Sequence, residues 1–260
     1  MTYDTIKVTE PAAGVTVISF ARPDVANALS TQMARDLLDI WSKLRAEAAL
    51  RCVILAGEGK HFQAGADLKE RNGMTDEAWA DQHRLFEAMI RAQLACPVPV
   101  IAAVQGAAMG GGCEMSLACD FTYAAEGARF GLPEAGLGIM PGLGGTQLLT
   151  RAVGPRRAIE ILTTAAPFSA EKALEYGLVS AIVPAEALME TVLAVAAQIA
   201  SRAPLSVRGL KRVVHGGQDL DLKRAMDLEL TIYNSLFTTE DRREGVASFN
   251  EKRTPAFSGK

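Results

Sequence analysis

The 260-residue chain has no uninterrupted apolar run long enough to span a bilayer. Its opening residues, MTYDTIKVTEP, hold neither a basic segment nor an apolar one, so no signal or transit peptide is expected and the cytoplasm is the expected compartment. No long basic run is present and the net charge is −3. That balance lacks the electrostatic footprint of a nucleic-acid binder, and neither nucleic acid nor membrane is expected as a partner. The cysteines are Cys52, Cys96, Cys113 and Cys119, without a C-x-x-C, which suits reduced, buried thiols. His61, His83 and His215 lack ligand spacing, so no metal site is expected. His83 falls in a helical pattern and reads as a helix-face histidine. No G-x-G-x-x-G follows a strand, and G-x-x-x-x-G-K-[ST] and G-x-S-x-G are missing, which disfavours dinucleotide binding, NTP hydrolysis and serine hydrolysis.

What is present is an ordinary globular balance, 49% hydrophobic and 22% charged, in a chain able to bury a full core. Ile6–Val8 and Val15–Phe20 read as strands joined by a turn. Met33, Leu37, Ile40, Trp41 and Leu44 keep helical spacing behind a cap at Ser30 or Thr31. Cys52–Ala56 and Val98–Val104 read as buried strands, and each runs into a glycine-bearing loop. Asp76 is the expected cap of the helix that carries Trp79, His83, Phe86 and Met89. From Pro184 onward only helical patterns remain. The expected fold class is therefore α/β, with residues 1–200 as the core and 201–260 as a helical subdomain; short strands beside glycine turns hint at a ββα repeat.

The stretch Gly106–Asp120, GAAMGGGCEMSLACD, organises the rest. A helix starting at Gly110, Gly111 and Gly112 aims free N–H groups at anything bound there, and Glu114 lies within its first turn. A second glycine loop, Ala64–Leu68, also follows a strand, and a second carboxylate, Glu134, lies just beyond another. Backbone donors can hold a developing enolate oxygen while two carboxylates move protons. On the residues alone, a solvated glutamate in a glycine-rich packing turn remains the competing reading.

Phe62-Gln63-Ala64-Gly65-Ala66-Asp67-Leu68, Pro99–Gly106, Gly110-Gly111-Gly112-Cys113-Glu114, and Pro133-Glu134 followed by Pro141-Gly142-Leu143-Gly144-Gly145-Thr146-Gln147 resemble the enoyl-CoA hydratase (crotonase) family, end to end along the chain. The resemblance implies a spiral core of ββα turns with a C-terminal trimerisation region, and a homotrimer or a homohexamer built as a dimer of trimers. It implies that the N–H groups of Ala66 and Gly111 form an oxyanion hole for a thioester carbonyl. Glu114 and Glu134 match the two catalytic glutamates, and Gly142 matches a glycine that positions water. Ala64 and Leu68 match the segment that holds the CoA adenine. Lys60 and Lys69 flank that loop, and Lys252 matches a lysine that reaches a neighbouring site; with Asp67 and Tyr233 they complete the expected CoA- and substrate-binding set. No separate cofactor is expected, because coenzyme A is part of the acyl-CoA substrate. Gln63 departs from the Cys, Ala or Ser of many relatives and is expected to affect CoA fit. Met109, Leu117 and Met140 are expected in the pocket wall.

The implied activity is addition of water across the C2=C3 bond of a trans-2-enoyl-CoA, giving a 3-hydroxyacyl-CoA, as in fatty-acid β-oxidation. The alternatives are an enoyl-CoA isomerase, a methylglutaconyl-CoA hydratase (Ala64–Met74 is similar to that branch) or a specialised dehydratase, and a non-catalytic protein on the same fold. Retention of both glutamates favours water chemistry. Glu134, among apolar neighbours, is expected to be the acid; Glu114, at a helix start, is expected to stay ionised.

Overall fold

The computed structural model describes residues 3–260. Strands β1 (Ile6–Ala12) and β2 (Val15–Phe20) form an antiparallel hairpin. Helix α1 (Thr31–Ala46) crosses to β3 (Cys52–Gly57), which lies parallel to β2. Ser30 is its cap, accepting from the Met33 N–H. The chain continues through α2 (Leu68–Arg71) and α3 (Asp76–Leu94) to β4 (Val100–Val104). The cap of α3 is Thr75, one residue before the expected Asp76: the Thr75 hydroxyl accepts from the Ala78 N–H, and Asp76 sits in the first turn.

Then come β5 (Ala107–Met109), α4 (Gly111–Leu117), β6 (Phe121–Ala125) and β7 (Arg129–Gly131). They are followed by α5 (Gly145–Val153), α6 (Pro155–Thr164), β8 (Phe168–Ser169), α7 (Ala170–Glu175) and β9 (Ala181–Val183). Beyond β9 the regular elements are helices, α8 (Leu188–Ala200), α9 (Pro204–Gly217), α10 (Leu222–Ser235) and α11 (Glu240–Glu251). None of the described helices is long and apolar enough to cross a membrane.

The large sheet has the order β1-β2-β3-β4-β6-β9, parallel from β2 onward, and a small sheet has the order β5-β7-β8. Between β4, β6 and β9 of the large sheet the chain passes through β5, β7 and β8 of the small one. The loop after β3 joins the small sheet by a bridge between Gln63 and Ala108. Because side chains alternate along a strand, the large sheet buries both faces. Val53, Leu55, Val100, Ala102 and Val104 face the main core with Phe20, Leu37 and Trp41. Cys52, Ile54, Ile101 and Ala103 face α8 through Leu188, Val192 and Ala196. Full burial of one large side chain of this kind stabilises by about 1.5–3 kcal/mol. All four cysteines are free and buried.

Helix α9 is tied to the core by polar contacts. Arg208 Nη2 donates to the carbonyls of Glu47, Ala48 and Leu50, each at 3.2 Å. Lys211 Nζ donates to the Val98 carbonyl at 2.9 Å and to Asp120 Oδ2 at 2.7 Å, and His215 Nε2 lies 2.6 Å from Asp120 Oδ1. Helix α10 leaves Met226, Leu230 and Tyr233 exposed.

Candidate active site

The two glycine loops meet. A Cβ placed on Gly65 would lie 3.1 Å from the Met109 carbonyl and 3.7 Å from Gly110 Cα. The contact follows from the small sheet: Gln63 N–H donates to Ala107 O at 3.0 Å, and Met109 N–H donates to Gln63 O at 2.9 Å. The loop then bonds to α1's approach, with Leu29 N–H donating to Gly65 O and Asp67 N–H to Leu29 O. Ala66, between those two bonds, has no hydrogen-bond acceptor for its own N–H among the described residues. Gly111 is the first residue of α4, where no intrahelical acceptor exists for the N–H. Gly110 precedes it at φ +51 and ψ −123, a conformation that side chains rarely adopt, and a Cβ there would stand 3.0 Å from Glu134 Oε1.

Beside these amides lies a cavity of about 570 Å³. Ala64, Gly65, Ala66, Leu68, Gly110, Gly111, Glu114, Glu134 and Gly142 all line it, so residues dispersed between positions 64 and 142 converge on one space. Glu114 comes from α4 and is only 2% exposed. Its Oε1 accepts from Leu143 N–H at 2.7 Å and Gly145 N–H at 2.8 Å. Gly145 opens α5, so its amide has no acceptor within that helix and is free to serve Glu114. Burial pushes Glu114 up to about 7; the Gly145 and Leu143 amides oppose the rise, and the Glu134 charge adds to it. The helix start therefore does not keep Glu114 in the ordinary carboxylate range: desolvation outweighs the backbone hydrogen bonds that favour its charge.

Glu134 sits in the first turn of a short 3-10 helix, Pro133–Leu137, whose left-handed end at Gly138 closes the turn. It is 8% exposed, and its Oε2 is buried without a partner. Burial raises its pKa, and an oxygen with no donor favours the protonated carboxyl. Two buried carboxyl groups of raised pKa thus flank a pair of outward amides.

Other expected residues take different places. Asp67 does not line the cavity; its carboxylate caps α2 and accepts from Arg22 Nη1 at 3.0 Å, bracing the loop that carries Ala66. Lys60 and Lys69 are exposed on either side of that loop. Lys252 is exposed at the end of α11, and Tyr233 lies in a hollow among the C-terminal helices, so neither reaches this cavity within one chain. Gln63 is fully buried behind the loop, where its Oε1 accepts from Gly65 N–H at 2.7 Å. It shapes the amide loop from inside rather than touching the cavity. Met140 lines the wall, whereas Met109 and Leu117 do not; Met109 Sδ turns toward Gly131 and Leu117 toward the core.

The far wall was not foreseen. Arg71, Trp79, His83 and Phe86 line it from α2 and α3. His83 packs on Gly142, where a Cβ would stand 2.5 Å from its Cε1, and its Nε2 lies 3.3 Å from Glu87 Oε1. Helical periodicity shows that these positions share a face but not whether that face meets core or cavity. The Leu143 and Gly145 amides did carry a signal, a Gly-rich loop that opens a helix. No cluster of metal-ligating side chains occurs among the described residues.

A model of the enoyl-CoA hydratase/isomerase family matches residues 10–260. A crotonyl-CoA hydratase of Syntrophomonas wolfei is 38% identical, over all of this chain and all of its own. An (E)-benzylidenesuccinyl-CoA hydratase of Thauera aromatica is 38% identical over 94% of this chain and 96% of its own. The crystal structure of an enoyl-CoA hydratase from Bacillus anthracis superposes with a TM-score of 0.97 at 43% identity, covering 99% of this chain and all of that one.

Proposed function

Because the chain belongs to the enoyl-CoA hydratase/isomerase family, whose ββα spiral fold it has, we propose that it adds water across the C2=C3 bond of a 2-enoyl-CoA thioester to give the 3-hydroxyacyl-CoA. The observation that carries this reading is the pairing of two buried glutamates of raised pKa with two unspent amide donors around one cavity. The thioester oxygen sits between the N–H groups of Ala66 and Gly111. Their dipoles stabilise the negative charge that develops on that oxygen as C3 is attacked. Glu114, fixed through Oε1 by the Leu143 and Gly145 amides, orients a water toward C3 and takes its proton. Glu134 delivers a proton to C2. One C–O bond and one C–H bond form, the C2=C3 π bond is lost, and proton transfer from Glu114 to Glu134 through solvent resets the pair.

An isomerase needs one group that moves a proton between carbons. Here both carboxyl groups are buried at the cavity and Glu114 is held by two dedicated hydrogen bonds, which favours handling of water. The Ala64 and Leu68 backbone, with Lys60 and Lys69 outside it, supplies the CoA contacts in this reading, and Lys252 and Tyr233 act from the surface of a neighbouring subunit. The exposed apolar side chains of α10 supply the contact between subunits of a trimer or of a hexamer. Loss of the enoyl absorbance of crotonyl-CoA on adding the protein, with 3-hydroxybutyryl-CoA as product, is the direct test. Unchanged crotonyl-CoA and longer 2-enoyl-CoA in the presence of folded protein would refute the reading, and light scattering of an active monomer would refute the assembly.

A further inference from the structure

The loop that fixes Glu114 runs between two left-handed glycines, Gly138 at φ +73 and Gly144 at φ +94. Its residues 140–142 take part in no backbone–backbone hydrogen bond among the described residues. On its inner side the loop is packed. A Cβ on Gly145 would stand 2.8 Å from Glu114 Cγ and 3.0 Å from Pro141 Cβ, and one on Gly111 would meet Leu143 Cδ1 at 3.4 Å. At Gly142 the neighbour is the His83 ring. A Cβ there would lie 2.5 Å from Cε1, 3.3 Å from Nε2 and 3.4 Å from Nδ1, its three nearest atoms. The backbone of Gly142 is not left-handed, so conformation alone would admit a side chain; the imidazole takes the space. His83 is presented by a long helix, α3, which is anchored in the core through Phe86, Met89 and Ile90. Nε2 lies 3.3 Å from Glu87 Oε1, one turn further on, which restrains the ring.

We propose that His83 is a positioning residue for Glu114: its ring bears on Gly142 and keeps the loop seated, so that the Leu143 and Gly145 amides stay on Glu114 Oε1. The effect on turnover rests on the hydration reading above; the effect on Glu114 does not. His83 acts through the Gly142 backbone, and its own polar partner is Glu87 rather than either cavity glutamate. The amides of Gly145, Leu143 and Gly142 all favour the charged form of Glu114. A loop that drifts from Glu114 weakens that support, leaving the carboxyl more often protonated and unable to take a proton from water. Misplacing a group by about 1 Å can cost on the order of 10²-fold in rate, so a buttress remote from the chemistry has leverage. Glu134 and Arg71, the other charged side chains on the cavity, are kept in every variant below.

The test is an exchange of size between the two positions, with circular dichroism confirming each fold. His83→Ala removes the ring, Gly142→Ala drives a methyl into it, and in the double variant the methyl enters the space that the ring has left. His83→Ala is expected to lower kcat on crotonyl-CoA by roughly ten- to hundred-fold. Its KM is expected to stay within about two-fold of the wild type, since the thioester contacts are untouched. Gly142→Ala is expected to lower turnover as well, and the double variant to exceed both single ones. A readout free of turnover is carbon-13 NMR titration of the glutamate carboxyls, with Glu114 identified by its loss in Glu114→Gln. Its midpoint is expected to rise by about half a pH unit or more in each single variant and to return toward the wild type in the double one. Loss of an imidazole charge would raise the midpoint too, but the added methyl would not reverse it. Single effects that simply multiply in the double variant overturn the proposal, as does an unmoved Glu114 midpoint in folded His83→Ala. A raised KM with kcat kept would make His83 a wall for the acyl chain and also overturns it. Failure of the wild-type protein to hydrate 2-enoyl-CoA would refute the hydration reading, while the Glu114 midpoints still decide the role of His83.

Discussion

Gly112 is glycine because Gln63 fills the place of its side chain: a Cβ on Gly112 would stand 2.5 Å from Gln63 Oε1 and closer still to the Gln63 carbonyl. The same Oε1 holds Gly65 N–H, so one buried amide joins the start of α4 to the loop that carries Ala66. Gly112→Ala must push the two apart. It is expected to destabilise by about 1–3 kcal/mol, the usual range for overpacking. Gln63→Leu keeps the volume but leaves Gly65 N–H unpaired in the core, at about 1–3 kcal/mol. Urea denaturation of both variants measures this; wild-type midpoints would show that the contact carries no strain and no support.

The second prediction follows from Glu114. Its pKa rises from 4.5 in the unfolded chain to about 7 in the fold. A folded-state value above the unfolded one means that the folded state holds its proton more tightly. Stability from this group is therefore complete below about pH 4.5 and falls as pH rises to about 7. At about 1.36 kcal/mol per pH unit the loss is roughly 3 kcal/mol. Glu114→Gln keeps an oxygen for the Leu143 and Gly145 amides and cannot ionise. Its melting temperature is expected to exceed that of the wild type by several degrees at pH 8, with the gap closing toward pH 5. A gap independent of pH would show that Glu114 ionises freely in the fold.

Asp120 carries a different sign. Burial opposes its charge, but the His215 hydrogen bond and the Lys211 cation outweigh burial and hold the carboxyl below its usual range. Its stabilisation is present above the ordinary aspartate value and is lost as pH falls through the lowered one. With the Asp120 and Lys211 side chains 15% and 12% exposed, removing one partner strands the other. Asp120→Asn is expected to cost about 3–5 kcal/mol and to loosen α9 from the sheet. Hydrogen exchange over Pro204–Gly217 reads that loosening; unchanged protection would mean that Arg208 alone holds the helix.

Much of this was legible because the strands are buried on both faces. Cys52–Ala56 and Val100–Val104 read as continuous apolar runs, and the helices between them keep a 3.6-residue period. Glu114 and Glu134 were legible as a pair through their glycine and proline surroundings. Arg71, Trp79 and His83 were not, since a residue on a helix face has the same spacing whether it meets core or cavity. Gln63 was misread for a related reason: sequence places it beside the loop, and only the bridge to Ala108 turns its side chain inward. Strands of two or three residues, such as β7 and β8, lie below the length at which alternation is visible.

The last prediction separates the two glutamates. Hydration puts a hydroxyl on C3 and a proton on C2, so the two protons moved are distinguishable. Glu134 has an orphaned oxygen, and burial outweighs the one backbone amide, its own, that favours its charge, which suits the donor to C2. Glu114 has two amides on Oε1, which suit a fixed acceptor for the water proton. Glu114→Gln and Glu134→Gln are each expected to lower turnover by about 10²–10⁴-fold, the usual span for a general acid or base. Thioester binding is expected to survive, because the carbonyl contacts come from backbone. The double variant should lose far less than the product of the single losses, since groups that act as a unit are not additive. In deuterated water, folded Glu134→Gln is expected to lose exchange at C2 of the product. Exchange that persists there but vanishes in Glu114→Gln would reverse the assignment, and wild-type turnover in both variants would remove the pair from the chemistry.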